Sequence, residues 1–127
     1  MKKVSKEGYI DGSCTNDDFH KIMLPIRDTL DIISGKWKLL IIVSIKHGNN
    51  RFRDIERSIP KITSKVLAKE LKDLEQNKLI TRTVYDAQPV FIEYKITEYA
   101  NTLGKVIIEM KSWGINHRKK MIGNKLP

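Results

Sequence analysis

One cysteine, Cys14, stands in the whole chain. It cannot form an intrachain disulfide or a cysteine-rich zinc site. A reducing, cytoplasmic setting is the expectation for such a chain. Long apolar runs are also missing. The longest, Leu39 to Ile45, is interrupted by Ser44, far short of the roughly 18 residues a membrane-crossing helix takes. Met1-Lys2-Lys3-Val4-Ser5-Lys6-Glu7-Gly8 carries lysines with no apolar stretch behind them, so it does not read as a signal peptide. His20, His47 and His117 are isolated from one another and read as solvated or satisfied side chains. A Gly-rich phosphate loop, a nucleophile elbow and an H-E-x-x-H run are all absent. Acid pairs such as Asp17-Asp18 fall in a polar stretch that offers no burial for acid–base work. The chain is therefore not expected to be an enzyme, and neither a metal nor a cofactor is expected.

Acidic residues are scarce as well. Fifteen Asp+Glu face 24 Lys+Arg, leaving +9, which favours an anionic partner and nucleic acid first. A generally lysine-rich organism would give the same total, but the lysines here sit at helical spacing rather than in one solvated run. Aromatic stacking runs of the kind single-strand readers use are missing, which disfavours RNA. The length, 127 residues, suits one domain, and 40% hydrophobic residues suffice for a core. Domains of this size often gain stability by dimerising.

What is present concentrates in residues 61–97. Leu67, Leu71 and Leu74 recur at one side of a 3.6-residue repeat. Lys65, Lys69 and Lys72 repeat the spacing from two residues earlier, so at about 100° per residue they lie roughly opposite. One face is built for burial and the other presents ammonium groups. Two β-branched and aromatic runs follow, Leu79-Ile80 to Tyr85 and Val90 to Ile96, separated by Asp86-Ala87-Gln88-Pro89. A basic helix leading into a short hairpin suggests a winged helix-turn-helix.

The rest of the chain fits that plan. Residues 1–21 are polar and turn-rich and read as an arm, ending in a short helix that packs Phe19 and Ile22 on a partner. Pro25 suits a first helical position, ahead of Ile26, Leu30 and Ile33. Gly35 ends that helix. Trp37, Leu40, Ile41 and Ser44 mark a second helix to about His47, stopped by Gly48-Asn49-Asn50. Phe52, Ile55 and Ile59 are the stripe of a third, closed by Pro60. Only Pro60-Lys61-Ile62 separates it from Thr63, a fitting N-cap for the basic helix. A short turn between two amphipathic helices is the helix-turn-helix signature. After the hairpin, Thr97 caps one last helix. Tyr99, Leu103, Val106, Met110, Trp113 and His117 form its stripe, bordered by Ile107 and Gly114.

Several blocks resemble the HxlR-type winged helix regulators of bacteria. They are Pro25 with Ile33-Ser34-Gly35-Lys36-Trp37, Arg51-Phe52, Ile59-Pro60-Lys61-Ile62-Thr63, Leu71-Lys72-Asp73-Leu74-Glu75 and Tyr94-Lys95-Ile96-Thr97-Glu98-Tyr99-Ala100. Each is weak alone; in order and at matching spacing they are specific. The resemblance spans about residues 23–115. It implies a homodimeric transcription factor on a palindromic or repeated operator, with the arm and terminal helix building the dimer. Many members carry a cysteine directly before the proline of the first helix, and some use it to sense oxidants or electrophiles. Leu24 stands there in this chain.

The expected fold is α+β, mostly α: a winged helix-turn-helix with an N-terminal arm and a C-terminal dimerisation helix. The expected divisions are residues 1–22 for the arm, 23–97 for the DNA-binding core and 98–127 for the dimerisation helix and frayed end. Candidate DNA contacts are Thr63, Ser64 and Lys65 at the helix start, where such helices meet base edges, with Lys69 and Lys72 further along. Arg51, Arg53 and Lys36 are candidate phosphate contacts, and Lys38 joins them. Arg82 and Gln88 are candidate wing contacts. Phe19, Ile22, Leu103, Val106, Ile107, Met110 and Trp113 are candidate dimer contacts. Glu70, Asp73 and Glu75 interleave with the lysines and offer i,i+4 pairs. Repression is favoured over activation. Cys14 reads as an inert thiol, with no Lys, Arg or His within three residues. A small-molecule effector is left open, its expected pocket near Trp37. The rival function is a protein–protein adaptor on the same scaffold, which an exposed basic helix would disfavour.

Overall fold

The computed structural model describes residues 16–123; Cys14 and the start of the arm lie outside them. Eight elements follow in order: α1 (Asn16–Ile33), α2 (Lys38–Lys46), α3 (Phe52–Ser58), α4 (Ser64–Gln76), β1 (Ile80–Tyr85), β2 (Phe91–Ile96), α5 (Glu98–Asn101) and α6 (Gly104–Ile122). The chain divides at Gly35 into two compact units. The first carries α1 and the second all the other elements.

The first helix departs from expectation. It starts at Asn16, not at Pro25, and keeps Pro25 inside it. Asp17 and Asp18 occupy its first turn, where carboxylates complement the positive end of the helix dipole. Proline removes one backbone donor from a helix interior, a cost that tertiary context can override. Phe19, Leu24, Ile26 and Leu30 are each more than two-fifths exposed on it.

In the second unit, α2, α3 and α4 meet around Ile41, Ile55, Leu67, Leu71 and Leu74, none more than 2% exposed. The two faces of α4 come out as its spacing demands: its leucines are buried and Lys65, Lys69 and Lys72 are exposed. Thr63 caps the helix, its Oγ1 accepting the Val66 N–H at 3.2 Å. The other end closes in a Schellman motif. Leu79 N–H donates to the Leu74 carbonyl at 3.0 Å and Lys78 N–H to that of Glu75 at 3.0 Å. Lys78 takes φ 63° to do so, in the left-handed region. Lys61, in the turn between α3 and α4, is likewise left-handed at φ 68°.

The hairpin pairs antiparallel from Ile80 opposite Ile96 to Tyr85 opposite Phe91. It is fastened to the helices at its base. Tyr94 N–H donates to the Asn50 carbonyl at 2.8 Å, and Asn50 Nδ2 to Glu93 Oε2 at 3.2 Å. Leu79, Ile80 and Tyr94 join the core, while residues 81–90 stand exposed as a projecting wing.

The terminal helix expected after Thr97 is two pieces. Thr97 does cap the first, accepting the Ala100 N–H at 3.1 Å. The chain then tightens: Thr102 and Leu103 N–H donate to the carbonyls of Tyr99 and Ala100, three residues back, and Thr102 Oγ1 also donates to Tyr99 at 2.6 Å. These short-range bonds replace the helical ladder, so α6 restarts at Gly104. Along α6 no side chain is fully buried. Among the described residues no helix is long and apolar enough to cross a membrane.

Candidate nucleic-acid interface

The exposed face of α4 carries Lys65, Ala68, Lys69 and Lys72, a helical stripe of three ammonium groups around one methyl. Glu70 and Asp73 do not neutralise it. Both turn away toward Lys38 of α2, at 3.1 and 3.6 Å respectively. No ion pair reaches Lys65, Lys69 or Lys72 among the described residues. The expected i,i+4 pairing on α4 is thus replaced by a link between helices, and the cationic face is left open to a ligand. Lys38 itself is corrected: it is 9% exposed and committed to Glu70, so it is not available for a phosphate.

The hairpin completes a concave surface beside this face. Lys72 and Arg82 line one groove of about 290 Å³ between α4 and β1, with Phe52, Ala68 and Tyr94. On the hairpin, the Arg51 guanidinium lies over the Phe91 ring, 4.0 Å from the centroid, and Phe91 stacks on Tyr85 at 4.7 Å. Stacking uses the flat face of the guanidinium and leaves its in-plane N–H groups free for an anion. Arg53 follows in the first turn of α3 and is exposed. Gln88 is exposed at the wing tip, away from this groove. Lys36 sits over Trp37 at 4.7 Å, and no hydrogen bond or ion pair joins it to α4 or the hairpin among the described residues.

The start of α4 is less simple than the sequence implies. Thr63 Oγ1 serves the cap, and Ser64 Oγ donates to Glu56 Oε2 of α3 at 2.5 Å. The Ser64 proton expected to face a base or phosphate is held by this carboxylate. Glu56 escaped sequence reasoning because the contact depends on how α3 folds back on α4. Ala68 was within reach, since its spacing from Lys65 and Lys72 puts it on their stripe.

An apolar cavity of about 310 Å³ lies elsewhere, where Ile42, Ile96, Ala100, Ile107 and Ile108 converge, with Lys46 and Lys111 also lining it. It is walled by residues of α2, β2, α5 and α6, and Trp37, near which an effector pocket was expected, is not part of its wall.

Known proteins share this arrangement. The HxlR-like helix-turn-helix family model matches residues 32–121. YdeP of Bacillus subtilis (strain 168), described as an uncharacterized HTH-type transcriptional regulator, is 38% identical over 107 residues, covering 84% of this chain and 82% of YdeP. The reduced form of the redox regulator HypR superposes with a TM-score of 0.71 at 36% identity, over 76% of this chain and 96% of HypR. The HTH-type transcriptional regulator YtcD gives 0.70 at 37% identity, over 75% and 97%. With its helix-turn-helix, its wing and its long last helix, this chain belongs to the HxlR family of helix-turn-helix transcriptional regulators.

Proposed function

We propose that the protein is a sequence-specific double-stranded DNA-binding repressor that works as a homodimer. The observation that carries the reading is the stripe of Lys65, Lys69 and Lys72 along the helix that follows the turn, exposed and, among the described residues, in no ion pair. A major groove about 12 Å wide admits such a helix. Lys69 and Lys72 neutralise phosphates, while Thr63, Ser64 and Lys65 face base edges. Arg82 and Gln88 meet the backbone flanking the groove, and Arg51 and Arg53 are further phosphate contacts. Lys36 is a further phosphate contact. Occupying an operator excludes polymerase, so repression needs nothing beyond tight binding.

Dimerisation is supported by apolar surface on both long helices. On α6, Met110 is 52% exposed and Trp113 68%, with Val106 and Ile107 on adjoining turns. On α1, Phe19 is 53% exposed. Burying such surface against a second copy, with Ile22 and Leu103, gives the interface. Residues 1–22, 23–97 and 98–127 then act as arm, DNA-binding core and dimerisation segment. Leu24 in place of a cysteine removes a thiol from the first helix, so oxidant sensing through that position is not part of the mechanism.

Selecting bound fragments from the host genome tests the reading. The wild type should enrich a palindromic or directly repeated site near promoters, and Lys65→Ala/Lys69→Ala should lose it. Equal recovery of all fragments by both proteins would refute sequence-specific binding.

A further inference from the structure

We propose that Glu56 and Ser64 form an acceptor-only reading pair that selects cytosine at the operator position facing the start of α4. The inference rests on the DNA-binding reading above and adds a base preference to it.

Ser64 is the first residue of α4 and is exposed; Glu56 is half-buried on α3. A serine hydroxyl has one proton and two acceptor lone pairs, and an ionised carboxylate has acceptors only. The Ser64 proton goes to Glu56 Oε2 at 2.5 Å. What remains for a ligand is the Ser64 lone pairs and the second carboxylate oxygen. Neither group has a proton left to donate. The charge-assisted contact also fixes the hydroxyl rotor, which would otherwise turn to suit either kind of partner.

This polarity decides what can face the pair. A phosphate is excluded by like charge, although a helix start ordinarily attracts one. In the major groove guanine shows the N7 and O6 acceptors and thymine the O4 acceptor, so both set acceptor against acceptor. Adenine offers its N6 amino group beside the N7 acceptor. Cytosine offers its N4 amino group without an acceptor next to it on that edge, and carboxylates accept from it. Cytosine is therefore the base that matches. Lys61, three residues before Ser64, is exposed and supplies the phosphate contact that the pair refuses.

The test is selection from randomised double-stranded DNA with the full-length wild type, Glu56→Gln and Ser64→Ala, alongside thermal melts. Glutamine keeps the shape but brings amide donors and removes the charge. The wild-type motif should hold one C·G pair per half-site that Glu56→Gln relaxes by about tenfold or more, leaving the other positions intact. Ser64→Ala, at an exposed position, should weaken the same pair and serves as the readout if the glutamine variant melts early. A motif unchanged in both variants, with affinity for all sequences uniformly raised in Glu56→Gln, would overturn the inference. So would relaxation confined to an A·T pair. Failure of the wild type to enrich any sequence would instead refute sequence-specific DNA binding itself.

Discussion

The Lys38 ammonium contacts both carboxylate oxygens of Glu70, at 3.1 and 3.3 Å, with the two residues only 9% and 6% exposed. This pair joins α2 to α4 and fixes the rotation of α4. With Glu70 drawn inward beside Leu67, Leu71 and Leu74, the three lysines must point out.

Breaking the pair from one side strands a buried charge. Lys38→Met should destabilise the fold by about 3 kcal/mol, read from urea unfolding. Asp73, 3.6 Å from the same ammonium, is left without its cation too. Adding Glu70→Leu should recover most of the stability, because replacing both partners by apolar groups is often close to neutral. A single variant as stable as wild type would mean that the pair does not set the helix orientation.

Such a pair could not be seen in the sequence, because its partners lie 32 positions apart. What was legible was local. The leucine and lysine spacings, the Thr63 cap and the hairpin runs each encode their structure within about one helical turn or one strand. The start of α1 was not legible, because Pro25 signals a helix beginning and the chain instead holds it in an interior position. The break at Thr102 and Leu103 was hidden by an apolar stripe that keeps its spacing straight through it. Of the candidate site, the open cationic face was legible and the Glu56 contact was not, since only folding brings α3 against the start of α4.

Two lysines adopt a conformation that nothing in their chemistry announces. Lys78 sits at φ 63° where the Schellman motif favours glycine. Lys78→Gly should be more stable than Lys78→Ala by about 1 kcal/mol, since alanine keeps the left-handed strain and both remove the charge. Equal melting temperatures for the two would argue against a left-handed residue there.

The exposed apolar surface on α6 predicts association. Sedimentation at low micromolar concentration should return about twice the chain mass of 14.7 kDa. Met110→Glu/Trp113→Glu should shift the protein toward the single-chain mass and weaken DNA binding with it. A wild type that sediments as a single chain would contradict the proposed interface.

An uncompensated cationic helix face should grip double-stranded DNA through its phosphates, and a salt titration of affinity for the selected site measures that grip. With at least about six phosphates neutralised per dimer, affinity should fall roughly a thousandfold or more between about 50 and 200 mM salt. Lys72→Ala should weaken all sequences alike and flatten the slope by about 0.9 for each phosphate that is no longer neutralised. An affinity that hardly changes across that range, or a slope that Lys72→Ala leaves untouched, would contradict the account.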